Sequence, residues 1–160
     1  MLKIKIITVG ALSEPHWKGA CAEYTKRLTG AAQITEVCLN EEKLRSDPSP
    51  AEIAKALDAE AERIIAQIPK RSLVVPLCIE GKQFSSEELS KKLEDALSGG
   101  KSEVCFIVGS SYGLSEKVKS LADIKLSMSS LTFPHQLARV MLYETIYRSV
   151  SIMNGSKYHK

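Results

Sequence analysis

The sequence predicts an α/β fold, a mostly parallel sheet with helices on both faces. Three observations carry this. Short apolar runs and amphipathic helical segments alternate almost strictly along all 160 residues. Two of the apolar runs, residues 73–79 (LVVPLCI) and 104–108 (VCFIV), are nearly unbroken, as in strands buried on both faces. Two helix starts are written out as Ser-x-x-Glu, at Ser49 to Glu52 and Ser85 to Glu88. In that box the serine oxygen accepts from the backbone and the glutamate reaches back. No repeat, linker or low-complexity segment interrupts the pattern, so one domain over residues 1–160 is expected.

Residues 3–9 (KIKIITV) alternate charge and aliphatic and then turn wholly apolar, a strand that Gly10 ends. A helix over about 14–28 follows, with Gly30 as its stop signal, and a second strand over about 33–39. Only one glycine follows the first strand, so the Gly-rich phosphate fingerprint of Rossmann-type dinucleotide folds is missing. Residues 40–50 form a charged loop. Pro50 then opens a helix whose stripe is Ile53, Leu57, Ala61, Ile64 and Ile68, closed by Pro69. Pro76 removes a ladder donor, which puts the third strand at an edge or ends it near Pro76, with 77–82 facing a site. The helix after Ser85 carries Leu89, Leu93 and Leu97 and stops at Gly99-Gly100. The strand 104–108 runs into GSSYGLS (109–115) and a short helix to about Ala122, and residues 124–128 read as the last strand. Pro134 then opens a long helix to about Ile152, with Thr132 as a candidate cap, and the chain ends in the tail MNGSKYHK.

Hydrophobic residues make up 44% and charged residues 26%, an ordinary globular profile. No apolar run approaches the roughly 20 residues that cross a bilayer, and the N-terminus reads as a strand rather than a signal peptide. A cytoplasmic protein with no membrane partner is expected. The four cysteines form no CxxC and have no histidine at ligand spacing, so they read as reduced, buried thiols and no metal site is expected. Net charge is +3 but unevenly spread. Residues 101–160 hold eight Lys/Arg against four Asp/Glu, while residues 40–62 hold seven acids against three bases. The basic half fits nucleic acid, and equally a solvated surface.

Ligands of parallel sheets bind at the carboxyl ends of strands, which selects the loops after Leu77, Val108 and Met128. The last of these lies in LSMSSLTFPHQLARVMLYETIYR, residues 126–148. A polar turn feeding a helix N-terminus offers free backbone N–H groups and the positive end of the helix dipole, which suits a small polar ligand. His135 and Arg139 lie four apart and share a face. Other readings stand beside function: His135 as a helix-start residue bonded to backbone, Arg139 as a solvated charge, Tyr158 and His159 as a disordered terminus. Trp17, between His16 and Lys18, reads as a stacking platform for RNA or as a core or interface aromatic.

Residues 77–82 (LCIEGK), 106–115 (FIVGSSYGLS), 126–148 and the terminal YHK, in that order over nearly the whole chain, resemble the RlmH family. These are small SPOUT-class methyltransferases acting on a pseudouridine of large-subunit ribosomal RNA. The resemblance implies a homodimer with a C-terminal trefoil knot, S-adenosyl-L-methionine as methyl donor, and N3 of a pseudouridine in 23S rRNA, within the ribosome, as acceptor. Carried over by motif, the cofactor contacts are Leu77, Gly109, Met128, Ser129, Ser130, Leu131, Thr132 and Phe133. The catalytic candidates are His135, Arg139, Tyr158 and His159, with Tyr158 or His159 near the base edge and Arg139 on phosphate or base. In the family the tail folds over the cofactor site. One departure stands out: Ser110 replaces the second of the family's two glycines. The final helix is apolar on more than one face (Leu137, Val140 and Met141; Leu142, Tyr143 and Ile146), as a helix with more than one partner is. The alternatives are a non-catalytic nucleotide-binding module and a ribosome-assembly factor.

Overall fold

Four strands, β1 (Leu2–Val9), β2 (Ala32–Leu39), β3 (Leu73–Lys82) and β4 (Val104–Val108), pair in parallel in the order β2-β1-β4-β3. The computed structural model describes residues 1–159, and side chains through Tyr158. Side chains alternate along a strand, so β1 and β4 serve two cores. Ile4, Ile6, Val104 and Phe106 point to one face, where they meet α1 (Pro15–Leu28), α3 (Ser86–Ser98) and α5 (His135–Met153) through Leu28, Leu93, Leu142 and Ile146. Ile7, Val9, Cys105 and Ile107 point to the other, under α2 (Pro50–Ile65) and α4 (Glu116–Lys119), against Ala61, Ile64 and Val118. A sheet covered on both faces explains why β4 is apolar at every position.

The helix starts follow the sequence closely. Ser85 forms the complete box: its Oγ accepts from Glu88 N–H at 3.1 Å, and the Glu88 carboxylate accepts from Ser85 N–H at 2.8 Å. At α2 only half of it forms. Ser49 Oγ accepts from Glu52 N–H, but the Glu52 carboxylate turns to Arg45. Helix α2 also stops at Ile65 rather than Ile68, where Gln67 and Ile68 N–H groups bond three residues back and tighten the chain toward Pro69.

β3 is an edge strand, and alternation explains its proline. Leu73 N–H points toward β4, donating to Glu103 O, whereas Val74 N–H points outward to the Asp123 carboxylate. Pro76, two residues on, therefore has its missing donor on the outer side and deletes no bond to β4.

Four expectations change. Residues 124–128 are not a strand: Leu126 alone bridges to Leu77 and Lys82, and the segment runs along the outer edge of β3 as a strap. Helix α5 begins at His135, which puts the cap position at Pro134 and leaves Thr132 two residues before it with no capping bond. Cys38 is exposed at the end of β2, with Sγ 3.2 Å from Gly10 O. The tail is anchored. Lys157–His159 forms a 3₁₀ turn, and the Tyr158 ring meets Tyr147 edge-on at 4.6 Å with the Arg148 guanidinium 4.8 Å from its centre.

Candidate active site

Two adjoining cavities open at the carboxyl ends of β3 and β4, against the start of α5. The smaller, about 130 Å³, is an apolar slot walled by Leu77, Cys78, Leu126, Met128, Leu131 and Phe133. The larger, about 520 Å³, reaches from that wall to Gly109, Tyr112, Lys119, Glu80 and His135. Leu77, Thr132, Phe133 and Ala138 border both, so the two form one cleft.

The loop after β4 is built on two glycines. Gly113 takes a positive φ of 89° and its N–H closes a turn onto Ser110 O at 2.8 Å. A Cβ on Gly109 would lie 2.3 Å from Gly113 O, so the turn closes only because no side chain is there. Ser110, at the family's second glycine, needs neither freedom. Arg71 is the one non-glycine at positive φ among the described residues. The Ser110 side chain instead helps hold down the proton affinity of the Glu60 carboxylate, which is 3% exposed and accepts Glu42 N–H at 2.9 Å. Burial raises the Glu60 carboxyl above its ordinary range, and these two neighbours oppose that rise.

The loop before α5 bonds to itself. Ser127 Oγ donates to Ser129 O at 3.1 Å, and Ser129 Oγ accepts from Leu131 N–H at 3.0 Å. Leu131 and, across the slot, Ile79 are 69% and 67% exposed, leaving an apolar rim facing outward.

The HQLAR run is a clip between strand ends. His135 Nε2 lies 2.6 Å from Gly109 O. A carbonyl only accepts, so Nε2 carries the proton and Nδ1 is the ring nitrogen left to accept one. Gln136 bonds Ser13 twice, donating to its Oγ and accepting its N–H, each at 2.9 Å. Arg139 is 1% exposed; its Nη2 donates to Gly10 O at 2.6 Å and Nη1 sits 3.6 Å from Glu36. Glu36 also accepts the Tyr143 hydroxyl at 2.5 Å, and burial with that bond pushes the Tyr143 phenol far above its usual range. Arg139 is thus neither a solvated charge nor open to a phosphate in this arrangement.

The structure brings Leu77, Met128, Ser129, Leu131, Thr132 and Phe133 around the slot, and Gly109 and His135 around the larger lobe. Ser130 is exposed and lines neither. Tyr158 packs beside Glu144, Tyr147 and Arg148, roughly 15 Å along the helix from His135 at 1.5 Å per residue. The side chain of His159 lies outside the described residues. Trp17 is half-buried at the start of α1, tilted against His16 at 4.5 Å. Sequence reasoning faced 77–82 toward a site without singling out Glu80, and missed Lys119; the two pair at 2.5 Å on the cleft wall, which lowers the Glu80 carboxyl and raises the Lys119 ammonium. It also missed Gln136 as a tether. The signal was the unbroken LCIEGK, whose second half is strand because the 125–127 strap pairs with it.

The fold is that of a SPOUT methyltransferase: the family model described as "Predicted SPOUT methyltransferase" matches residues 2–159. Ribosomal RNA large subunit methyltransferase H of Streptococcus thermophilus (strain CNRZ 1066) is 47% identical over 159 residues, 99% of this chain and 100% of that protein. Its counterpart in Streptococcus gordonii is 46% identical over the same shares. The chain belongs to the ribosomal RNA large subunit methyltransferase H family. Among solved structures, a "probable methylase family protein" from Haemophilus influenzae Rd KW20 superposes with a TM-score of 0.51 at 16% identity, covering 98% of this chain and 70% of that one. That likeness concerns the fold alone.

Proposed function

We propose that this protein transfers a methyl group from S-adenosyl-L-methionine to N3 of a pseudouridine in 23S rRNA, on the large subunit or assembled ribosome, in the cytoplasm. The observation that carries this is the two-lobed cleft. The apolar slot suits an adenine ring, and the self-bonded loop 127–133 offers backbone groups to its edge. The missing Cβ at Gly109 leaves its carbonyl and turn close to the second lobe. The relatives' names supply the RNA class.

The cofactor supplies an electrophilic methyl on a sulfonium. The chain must set an acceptor nitrogen in line with it and take the N3 proton. Thr132 and Phe133, shared by both lobes, separate the two ligands, and His135, held by Gly109 O, offers Nδ1 to that proton. Arg139 acts through position: it fixes the Gly10 end of β1 beneath the helix start.

The working unit is a homodimer, with the family's C-terminal knot. Leu142, Tyr143 and Ile146 are spent on the core and Val140 packs at its margin, while Leu137 and Met141 remain half-buried on another face of α5. A partner along that stripe also explains the exposed Ile79 and Leu131. Tyr158 sits too far along α5 to reach its own cleft, so Tyr158 and His159 serve the chemistry of the neighbouring subunit.

Calorimetry with S-adenosyl-L-methionine followed by a transfer assay tests the reading. Binding without methyl transfer to any ribosomal particle favours the nucleotide-binding alternative; no binding at all favours the assembly factor.

A further inference from the structure

Beyond the cleft, Phe84 carries two cations. Lys82 Nζ lies 5.3 Å from its ring centre and Lys92 Nζ 5.4 Å, so the two ammonium groups are at most about 11 Å apart. Both lysines are exposed, and neither has an ion-pair partner among the described residues. Lys125 joins them: its carbonyl accepts Lys82 N–H at 2.9 Å, and its exposed side chain also lacks an ion pair among those residues. The neighbouring lysines differ. Lys91 pairs with Asp95, Lys117 with Asp58 and Lys119 with Glu80, which occupies the nearest carboxylate on β3.

A ring holds ammonium groups differently from a carboxylate. The cation–π attraction restrains the side chain without cancelling its charge. Phe84 is half-buried against the core and so is itself fixed. Lys82 and Lys92 remain charged and localised, and Lys125 adds a third exposed charge on the adjoining strap, which is what a phosphodiester backbone needs. Their position is also specific. Ser127 N–H bonds to Lys82 O, and Leu126 bridges to Lys82, so the strip borders the wall of the apolar slot. The acid-rich segment 40–62 packs on the other face of the sheet, through Ala61.

We propose that Lys82, Lys92 and Lys125, with Phe84 beneath two of them, form a strip that grips the phosphate backbone of the RNA flanking the target base. This rests on the RNA reading above and names its seat.

The test compares full-length wild type with Lys82→Gln/Lys92→Gln/Lys125→Gln across a salt series, reading labelled methyl transfer to ribosomes. Lys3→Gln/Lys70→Gln, exposed residues at the amino ends of β1 and β3, is the charge control. The triple variant should keep its cofactor affinity by calorimetry and its kcat. Its kcat/KM at about 0.1 M salt should fall roughly tenfold or more, and the slope of log(kcat/KM) against log[salt] should flatten by about 2, since each phosphate contact contributes about 0.7–0.9. The control should move neither. Phe84→Leu, with every charge intact, should lose a few-fold in kcat/KM. Equal kcat/KM and equal salt slope for the triple variant and wild type overturns the strip. Absence of transfer by the wild type overturns the RNA reading itself, a separate result.

Discussion

The guanidinium of Arg139 donates to the carbonyl oxygen of Gly10 at 2.6 Å, joining the last helix to a strand end 129 residues earlier. With His135 on Gly109 and Gln136 on Ser13, it makes the HQLAR run a three-point clip. The motif therefore has an architectural meaning apart from chemistry: it aligns the ends of β1 and β4 under the cleft.

Arg139→Ala should cost about 3 kcal/mol of stability, because it empties the space of a large buried side chain and takes the donor from the Gly10 carbonyl. Arg139→Lys keeps the charge but not the two-pronged reach, and should recover only part of that loss. Chemical denaturation measures both. An unchanged midpoint with weaker ribosome binding would instead make Arg139 a direct RNA contact.

Gly109→Ala should reduce cofactor affinity by tenfold or more, about 1.4 kcal/mol. The added Cβ collides with Gly113 O and forces the turn beside the cleft to shift. Ser110→Gly should be mild, costing about 1 kcal/mol of stability for the polar side chain lost near Glu60, with little change in affinity. Calorimetry on the pair separates close approach at 109 from the polar side chain at 110.

Glu60 gives a pH signature. Its folded carboxyl titrates above the ordinary 4.5 because it is buried, so the folded state binds the proton more tightly than the unfolded state. The resulting stabilisation is fully present below 4.5 and is lost as pH rises through the interval up to the folded value. Glu60→Gln removes that slope and keeps an acceptor for Glu42 N–H. The stability difference should shift in the variant's favour between pH 4 and pH 7, as denaturation at the two values shows. Glu80, lowered by Lys119, contributes with the opposite sign: stability present above 4.5 and lost as pH falls.

Much of this was legible in the sequence, and the gaps have physical causes. Unbroken apolarity in residues 104–108 gave a doubly covered strand, since only a central parallel strand needs apolar groups on both faces. The Ser85 box appeared as written because both bonds are local. Residues 124–128 have strand composition, yet their partner groups lie on β3 at Val74, Leu77 and Lys82, spacings that periodicity does not report. Most cleft-lining residues were found through the resemblance. Arg139 was placed near the site but not inside the protein, because a buried arginine depends on Glu36 and Gly10, both far away in sequence.

Removing residues 158–160 should lower stability by about 1–2 kcal/mol, the scale of an aromatic pair and a cation–π contact, since Tyr158 is seated on Tyr147 and Arg148. Methyl transfer should fall by roughly a hundredfold, about 3 kcal/mol of transition-state stabilisation. Mixing the truncated chain with an intact-tail Gly109→Ala chain should restore part of the activity, because one dimer in the mixture pairs a whole cleft with a whole tail. No recovery on mixing would place the tail's action within its own subunit.

The most direct test incubates the protein with labelled S-adenosyl-L-methionine and, in parallel, assembled ribosomes, isolated large subunits and naked 23S rRNA. Nucleoside mass spectrometry then locates the label. The account predicts one methyl per particle, on N3 of a pseudouridine, in ribosomes or large subunits. Label on another nucleoside, or no label on any of the three substrates, would contradict it.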